Sequence, residues 1–258
     1  MKDIKGVTLV ELLVGMAVGM LLLGSIYMAV NVAQRSTSGI ERKVTAQQDL
    51  KPALDLMAME IGMASYNPTY ATGIWLNPTN CATASATNQT YKGIQEATPN
   101  SITVEMDITD SACTATDGTG AIGDCNEIIR YAYLTGTTDP LCITRETIRC
   151  ASGTLTTSGA QSFLGATTDD AASGNPRTVR VINNTAGTGN TAIPVFRYYN
   201  ESGTEIFPTA GNQTTIPNIR RIEITLAVET EDIDPNTKQR RRMIYSTSVI
   251  PRNHVIIP

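Results

Sequence analysis

The chain has 258 residues, a formal net charge of −4 at pH 7 and a sequence pI near 5.1. This acidic balance argues against direct nucleic-acid binding, which requires a basic face. Because the sequence also contains no phosphate-binding glycine loop, no G-x-S-x-G and no C-x-x-C, we expect neither an enzyme nor a cofactor-binding or zinc site.

The first thirty residues predict a membrane anchor. A charged leader that ends at Gly6 precedes residues 7–30, which carry a single charge at Glu11. As a helix this run rises about 36 Å, enough for a hydrocarbon core of about 30 Å. It is longer than the apolar region of a cleaved signal peptide, so we expect it to be retained. Lys2 and Lys5 precede it and place the N-terminus in the cytoplasm.

The segment GVTLVEL, residues 6–12, resembles the class III leader of type IV prepilins and type II secretion pseudopilins. The resemblance implies that prepilin peptidase cuts between Gly6 and Val7 and methylates the new amine of Val7. The family usually has Phe at this position. Glu11 corresponds to the glutamate that the family uses in assembly. An ionised group in hydrocarbon costs a few kcal/mol, and the N-terminal amine of a neighbouring subunit would compensate its charge.

Three further blocks are similar to minor type IV pilins of the PilW type, and more loosely to J-type minor pseudopilins. They are residues 45–66, the pair 196–200 and 218–224, and residues 246–253. The resemblance implies a long N-terminal helix packed on antiparallel strands. It also implies as partners other minor and major pilins, the prepilin peptidase and the inner-membrane assembly platform.

Residues 31–66 predict an amphipathic continuation of the helix. Apolar side chains recur at steps of three and four, interrupted by one polar turn at Gln47, at Ile40, Val44, Leu50, Leu54, Met57 and Ile61. Pro52 lies inside this pattern, and we expect a kink there because proline removes a backbone donor. The Asn67-Pro68 pair marks a turn, so the helix should end between residues 62 and 67.

Residues 67–258 predict a β-rich periplasmic domain, because the apolar period changes to two. Strands are predicted at 101–108, 127–134, 141–146, 178–182, 194–199, 219–229 and 240–250, and low-complexity loops at 151–176 and 183–193. A long helix followed by antiparallel strands predicts an α+β fold of the pilin type, whose first half is transmembrane.

The five cysteines all follow the anchor, where an oxidising compartment favours disulfide bonds. We prefer the local pairings Cys113–Cys125 and Cys142–Cys150, although four cysteines allow three connectivities. Cys81 is then left to pair with another cysteine or with a partner chain, or to stay a buried thiol. We expect no catalytic role for it.

Asp232, Asp234 and Asn236 form a D-x-D-x-N pattern like the start of a calcium-binding EF-hand loop. The sixth position is Thr237 instead of glycine, and the twelfth is Met243 instead of an acid. A plain hairpin turn is therefore favoured over a calcium site, and no metal is expected.

The only histidine, His254, lies near the C-terminus without an obvious partner. We interpret it as a solvated tail residue, so the sequence offers no nucleophile–base pair.

Together these features predict a non-catalytic minor pilin that primes or joins a type IV pilus near its tip. It would be a single-pass inner-membrane protein with a periplasmic C-terminal domain before it reaches the cell surface. The alternative of the same architecture is a J-type minor pseudopilin of a type II secretion system. The alternative of another class is a membrane-anchored periplasmic binding module that never polymerises.

Overall fold

A computed structural model describes residues 8–109, 120–135, 141–151, 153–165, 179–183, 193–234 and 237–254. One long helix, α1 (Leu9–Gly62, 54 residues), begins the described part of the chain and runs through Pro52. Its end at Gly62 confirms the predicted end of the helix.

The two halves of α1 meet different surroundings. Its most apolar stretch, near the N-terminus, is not buried within the protein and is long enough to cross a membrane. Burial begins at Gly39 and becomes regular from Ala46, where the apolar stripe turns toward the domain. A helix that is apolar on all sides up to Val30, apart from Glu11, and amphipathic beyond Gly39 fits an anchor followed by a packed stem.

The first sheet is antiparallel and contains the strands β1 (Ile94–Ala97), β2 (Ser101–Glu105), β3 (Ile128–Thr135), β4 (Leu141–Ala151), β5 (Thr154–Thr157) and β6 (Gln161–Leu164). The strands follow the order β1-β2-β3-β4. Both β5 and β6 pair with the remaining edge of β4, because β4 is long enough to hold them end to end.

The second sheet is also antiparallel and contains β7 (Val179–Val181), β8 (Phe196–Tyr199), β9 (Glu205–Ile206), β10 (Arg221–Thr230) and β11 (Arg242–Val249). Its order is β11-β10-β8-β9, and β7 pairs with β10 beyond the end of β8. The described residues also form a short helix, α2 (Ala86–Gln89), and two 3-10 turns at Ile216–Asn218 and Arg252–His254. The α+β prediction is confirmed.

The main hydrophobic core joins α1 to both sheets. Leu50, Met57 and Ile61 of the helix belong to one cluster with Tyr131 of the first sheet and Ile224 of the second. Because side chains alternate along a strand, the first sheet also has an outer face. Part of it is covered by a smaller cluster of Ile74, Trp75, Ala84, Ile122, Ile128 and Ile148.

A buried ion pair fastens the end of α1 to the first sheet. The Arg145 guanidinium donates to both carboxylate oxygens of Glu60, with nitrogen–oxygen distances of 3.1 and 2.7 Å. The Tyr131 hydroxyl donates to the same carboxylate. The Glu60 side chain is 9% exposed, so its charge is compensated inside the fold.

Seven predicted strands correspond to observed ones, although their ends differ by a few residues. The predicted strand 141–146 extends to Ala151, and the region 151–176, predicted as loop, contains β5 and β6. Its low-complexity Thr/Ser/Gly composition has little apolar alternation, and β5 is exposed along its whole length. These two strands form because they pair with the long strand β4, and their amino-acid composition does not predict that pairing.

The predicted Cys142–Cys150 disulfide is wrong. Both residues lie on the single strand β4, eight positions and therefore about 26 Å apart. Instead, Cys150 bonds to Cys81, with Cα atoms 5.4 Å apart, and Cys142 is buried elsewhere on the strand. Cys125 is also disulfide-bonded, and Cys113, its predicted partner, lies outside the described residues.

Candidate functional site

The N-terminal end of α1 is built around Thr8 and Glu11. Thr8 is the N-cap, and its hydroxyl oxygen accepts from the Glu11 amide at 3.3 Å. The Glu11 Oε2 atom accepts in turn from the amide and the hydroxyl of Thr8, both at 3.1 Å. This reciprocal capping box satisfies amide groups that have no partner inside the helix. Neither bond uses Glu11 Oε1.

The predicted processing residues, Gly6 and Val7, lie outside the described residues. The N-cap at Thr8 follows Val7 directly, so α1 begins just after the predicted cut. A free amine at Val7 would then precede the first helical turn, and Glu11 belongs to that turn.

The apolar side chains of the first half of α1 are exposed in the isolated chain. Large examples include Leu9, Met20, Leu21, Leu23, Tyr27 and Met28, each about 70% exposed or more. An apolar surface of this extent needs a membrane or other protein chains to cover it. The helix therefore presents a surface for lipid or for further helices.

Above this surface, the β10–β11 hairpin closes on α1. The Arg42 Nη1 atom donates to the Ile233 carbonyl at 2.7 Å, and Arg42 Nε lies 3.4 Å from Asp232 Oδ2. Next to them Asp234, 2% exposed, accepts from Arg241 Nε at 2.6 Å. A Cβ atom at the buried Gly39 would lie 3.6 Å from Asp234 Oδ2, so this position brings the hairpin close to the helix.

These contacts bear on the weak calcium candidates. Asp232 and Asp234 each face an arginine of the chain itself, and Asn236 lies outside the described residues. Asp232 therefore joins the hairpin to the helix through Arg42, whereas Asp234 pairs with Arg241 within the hairpin.

The prediction of a solvated His254 is wrong, because its side chain is 1% exposed. Its Nε2 atom lies 3.0 Å from the Ile216 carbonyl, which can only accept, so Nε2 carries the proton. Nδ1 then accepts from the Ser65 hydroxyl at 3.0 Å. Burial lowers the pKa of His254 to about 4 and keeps the ring neutral.

Ser65 connects this histidine to the end of α1. It has a positive φ of 67°, and its hydroxyl oxygen accepts from the Gly93 amide at 2.9 Å. A Cβ at Gly93 would lie 2.1 Å from the Ser65 nitrogen, so only glycine fits there. Ser65 itself is 4% exposed, and the Ser–His pair forms part of the interior.

The sequence reasoning missed most of these polar contacts. Glu60 offered a signal, because it is an acid within the apolar stripe between Met57 and Ile61. Arg145 and Ser65 gave no such signal, because neither the ion-pair partner of Arg145 nor the positive φ of Ser65 can be predicted from the neighbouring sequence.

Residues 1–27 match the family model of the prokaryotic N-terminal methylation motif. No curated protein and no solved structure matches the chain. The motif covers the leader and most of the apolar run, and it precedes a membrane-capable helix that continues into an α+β domain. These findings support a pilin-like or pseudopilin-like protein that prepilin peptidase processes and that enters a membrane assembly machinery.

Proposed function

We propose that the chain is a minor pilin of the PilW type, cut after Gly6, methylated at Val7, and assembled into a type IV pilus near its tip. The observation that carries this proposal is the methylation motif of residues 1–27 at the head of α1. The first half of that helix is apolar and exposed, as a subunit that moves from lipid into a bundle of helices requires. Residues 45–66 and 246–253, which are similar to minor pilins, favour the PilW type among the pilins.

Glu11 is the assembly residue in this proposal. After the cut, the Glu11 carboxylate lies one helical turn from the new α-amine of Val7 in the same chain. Each neighbouring subunit of the filament carries the same carboxylate and the same amine. In a filament the Glu11 carboxylate of one subunit pairs with the amine of another, so neither charge stays alone in an apolar environment. The Oε1 atom is the oxygen that the capping box does not use.

The role is structural and not catalytic. The single histidine, His254, pairs with Ser65, and both residues belong to the interior. Each ring nitrogen of His254 already has a partner within the fold. The domain instead supports the helix, through the Glu60–Arg145 pair at its end and Arg42 at its middle.

Mass spectrometry of the mature N-terminus in sheared surface fibres tests this proposal directly. We expect N-methyl-Val7 as the first residue of the chain in those fibres. An intact Met1, or a chain that stays in the membrane fraction under all conditions, contradicts it and favours an anchored binding module. Co-purification with secretion components instead of pilins favours the J-type pseudopilin.

A charge-neutral variant tests the role of Glu11. We expect Glu11→Gln to be cut by the peptidase but to enter sheared fibres at least tenfold less than the wild type, because the neighbour's amine loses its counter-charge, a difference of about 1.4 kcal/mol or more. Glu41→Gln is the matched control, since Glu41 is an exposed acid of the same helix beyond the apolar run. Equal incorporation of the two variants would contradict the assembly role.

A further inference from the structure

A groove of about 430 Å³ lies on the outer face of the first sheet, beside the small hydrophobic cluster of Trp75 and Ile148. Besides side chains of the sheet, it is lined by residues 77–79, by Asn88 of α2, and by Ala210 and Gln213. This volume falls within the range of about 300–1,000 Å³ that is usual for small-ligand sites. The proposed pilus function does not use this face, because assembly runs through α1.

The floor of the groove is a row of side chains that crosses four strands. Glu96, Thr103, Arg130 and Glu146 are successive register partners on β1, β2, β3 and β4. Glu96 is held in place, because its carboxylate accepts from Thr103 Oγ1 and from Arg130 Nε, each at 3.0 Å. The row therefore ends in an Arg130 guanidinium beside a Glu146 carboxylate.

Several polar groups in the groove have hydrogen-bonding capacity left. Within the described ranges, Arg130 donates through Nε alone, and no hydrogen bond reaches the carboxylate of Glu146 or the side-chain amide of Asn88. Gln95, which also lines the groove, is 7% exposed, and its Oε1 has no hydrogen-bond partner in the described part of the chain. A buried acceptor is costly unless a donor reaches it, and the neighbouring Glu105 carboxyl, a water or a ligand can supply one.

The polar side chains that line the groove indicate which class of ligand it can bind. A hydroxyl group both donates and accepts, so neighbouring sugar hydroxyls match a carboxylate acceptor beside a guanidinium donor. The floor carries one cation, Arg130, between two carboxylates, which matches neither a phosphate nor a polycation. Amide side chains, threonine hydroxyls and the apolar residues Pro78, Ile148 and Ala210 complete the lining. We propose that this groove binds an uncharged oligosaccharide.

A steric block inside the groove tests the proposal. Thr157 of β5 lines the groove, whereas Thr156, its neighbour, points to the opposite face of the strand; both residues are exposed. Thr157→Trp should therefore fill the groove, and Thr156→Trp is the matched control with the same bulk on the same strand. Exposed positions on a strand tolerate this change without loss of the fold.

The full chain is reconstituted in lipid nanodiscs, because detergents with sugar headgroups would compete. Binding of maltohexaose, cellohexaose and chitohexaose is measured by calorimetry, with tetraalanine and inorganic phosphate as comparison ligands. We expect at least one of the three sugars to bind with a Kd of about 1 mM or tighter, and Thr157→Trp to weaken it at least tenfold, a change of about 1.4 kcal/mol. Thr156→Trp should bind like the wild type.

A second variant tests the polar floor without filling the groove. Glu146→Ala removes a carboxylate that makes no hydrogen bond in the described residues, so the fold should survive while sugar binding weakens. No sugar binding at about 10 mM ligand would overturn the proposal. So would preferential binding of the peptide or of phosphate, or sugar binding that both tryptophan variants leave unchanged. Incorporation of Thr157→Trp into fibres is measured in parallel and should stay normal, because the groove is remote from α1 assembly.

Discussion

At the scale of single residues, the loss of Arg145 should destabilise the fold strongly. It donates two hydrogen bonds to Glu60, and this carboxylate lies in the interior between α1 and the first sheet. Arg145→Met keeps the length of the side chain but leaves the charge of Glu60 unpaired. We expect a loss of about 3 kcal/mol in the free energy of unfolding, measured by urea denaturation of the full chain in nanodiscs.

A double variant separates the charge from the packing. Glu60→Gln combined with Arg145→Met removes both charges, so it should be more stable than Arg145→Met alone. Tyr131 can still donate its hydroxyl to the amide oxygen of the new glutamine. If the double variant is instead as unstable as the sum of the two single variants, the buried charge is not the cause of the loss.

His254 should make the stability of the domain fall in acid. Its folded pKa is lowered to about 4 from an ordinary value of 6.5. Between these two values the unfolded chain binds a proton that the folded chain does not, so stability falls as pH decreases through this window. We expect a contribution of about 3 kcal/mol between pH 7 and pH 4, measured by denaturant titration at each pH.

The control for this prediction is His254→Gln, which has no proton to gain. It should be less stable than the wild type at pH 7, but the difference between the two should shrink as pH decreases to 4. Comparison of the two proteins is needed because Glu105 acts in the opposite direction. Burial raises the pKa of Glu105 well above its ordinary range, so its protonation stabilises the fold in acid. Parallel pH curves would contradict the role given to His254.

At the scale of elements, the sequence predicts α1 well because its signals are local. The apolar run, the stripe from Leu50 to Ile61 and the Asn67-Pro68 turn each act over a few residues. The strands with regular alternation, such as β3 and β10, are predicted for the same reason. By contrast, β5 and β9 carry no pattern of their own and exist because β4 and β8 pair with them. Whether two strands pair depends on the tertiary structure, and the alternation of apolar residues along a segment does not predict it.

The contact between the β10–β11 hairpin and α1 is likewise a pairing of distant elements. The sequence shows only acids in a turn, and it does not show that Arg42 of the helix meets them. In the fold Arg42 donates to the Ile233 carbonyl and faces Asp232. These contacts should hold the hairpin on the stem of the helix.

Removal of Arg42 should release the hairpin without unfolding the domain. We expect Arg42→Ala to raise amide hydrogen exchange of residues 231–234 and 237–241 roughly tenfold, because one charged hydrogen bond and a partly exposed ion pair are lost. Glu41→Ala is the control, since Glu41 is the exposed residue that precedes Arg42 in the same helix. Equal exchange in both variants, measured by mass spectrometry, would show that the hairpin does not depend on Arg42.

At the scale of the whole molecule, the cysteines show that disulfide pairing cannot be predicted from closeness in the chain. The sequence favours neighbours in the chain, yet Cys150 bonds to Cys81 across 69 residues. The reason is that the strand β4 holds Cys142 and Cys150 apart, while the segment around Trp75 folds back over the outer face of the first sheet. The disulfide therefore ties this covering segment to the end of β4.

A bond across so long a stretch should contribute strongly to stability. Closing a loop of 69 residues restricts the unfolded chain by about 4 kcal/mol in the chain-entropy account. Cys81→Ser with Cys150→Ser should lose about this amount, and its melting temperature should fall by several degrees. Cys142→Ala is the control, because Cys142 is a buried cysteine that takes no part in the Cys81–Cys150 bond, and its removal should cost about 1 kcal/mol. Serine variants are preferred to a reductant, since Cys125 is also disulfide-bonded. Equal melting of the double serine variant and the wild type would mean that packing over Trp75 already holds this segment without the bond.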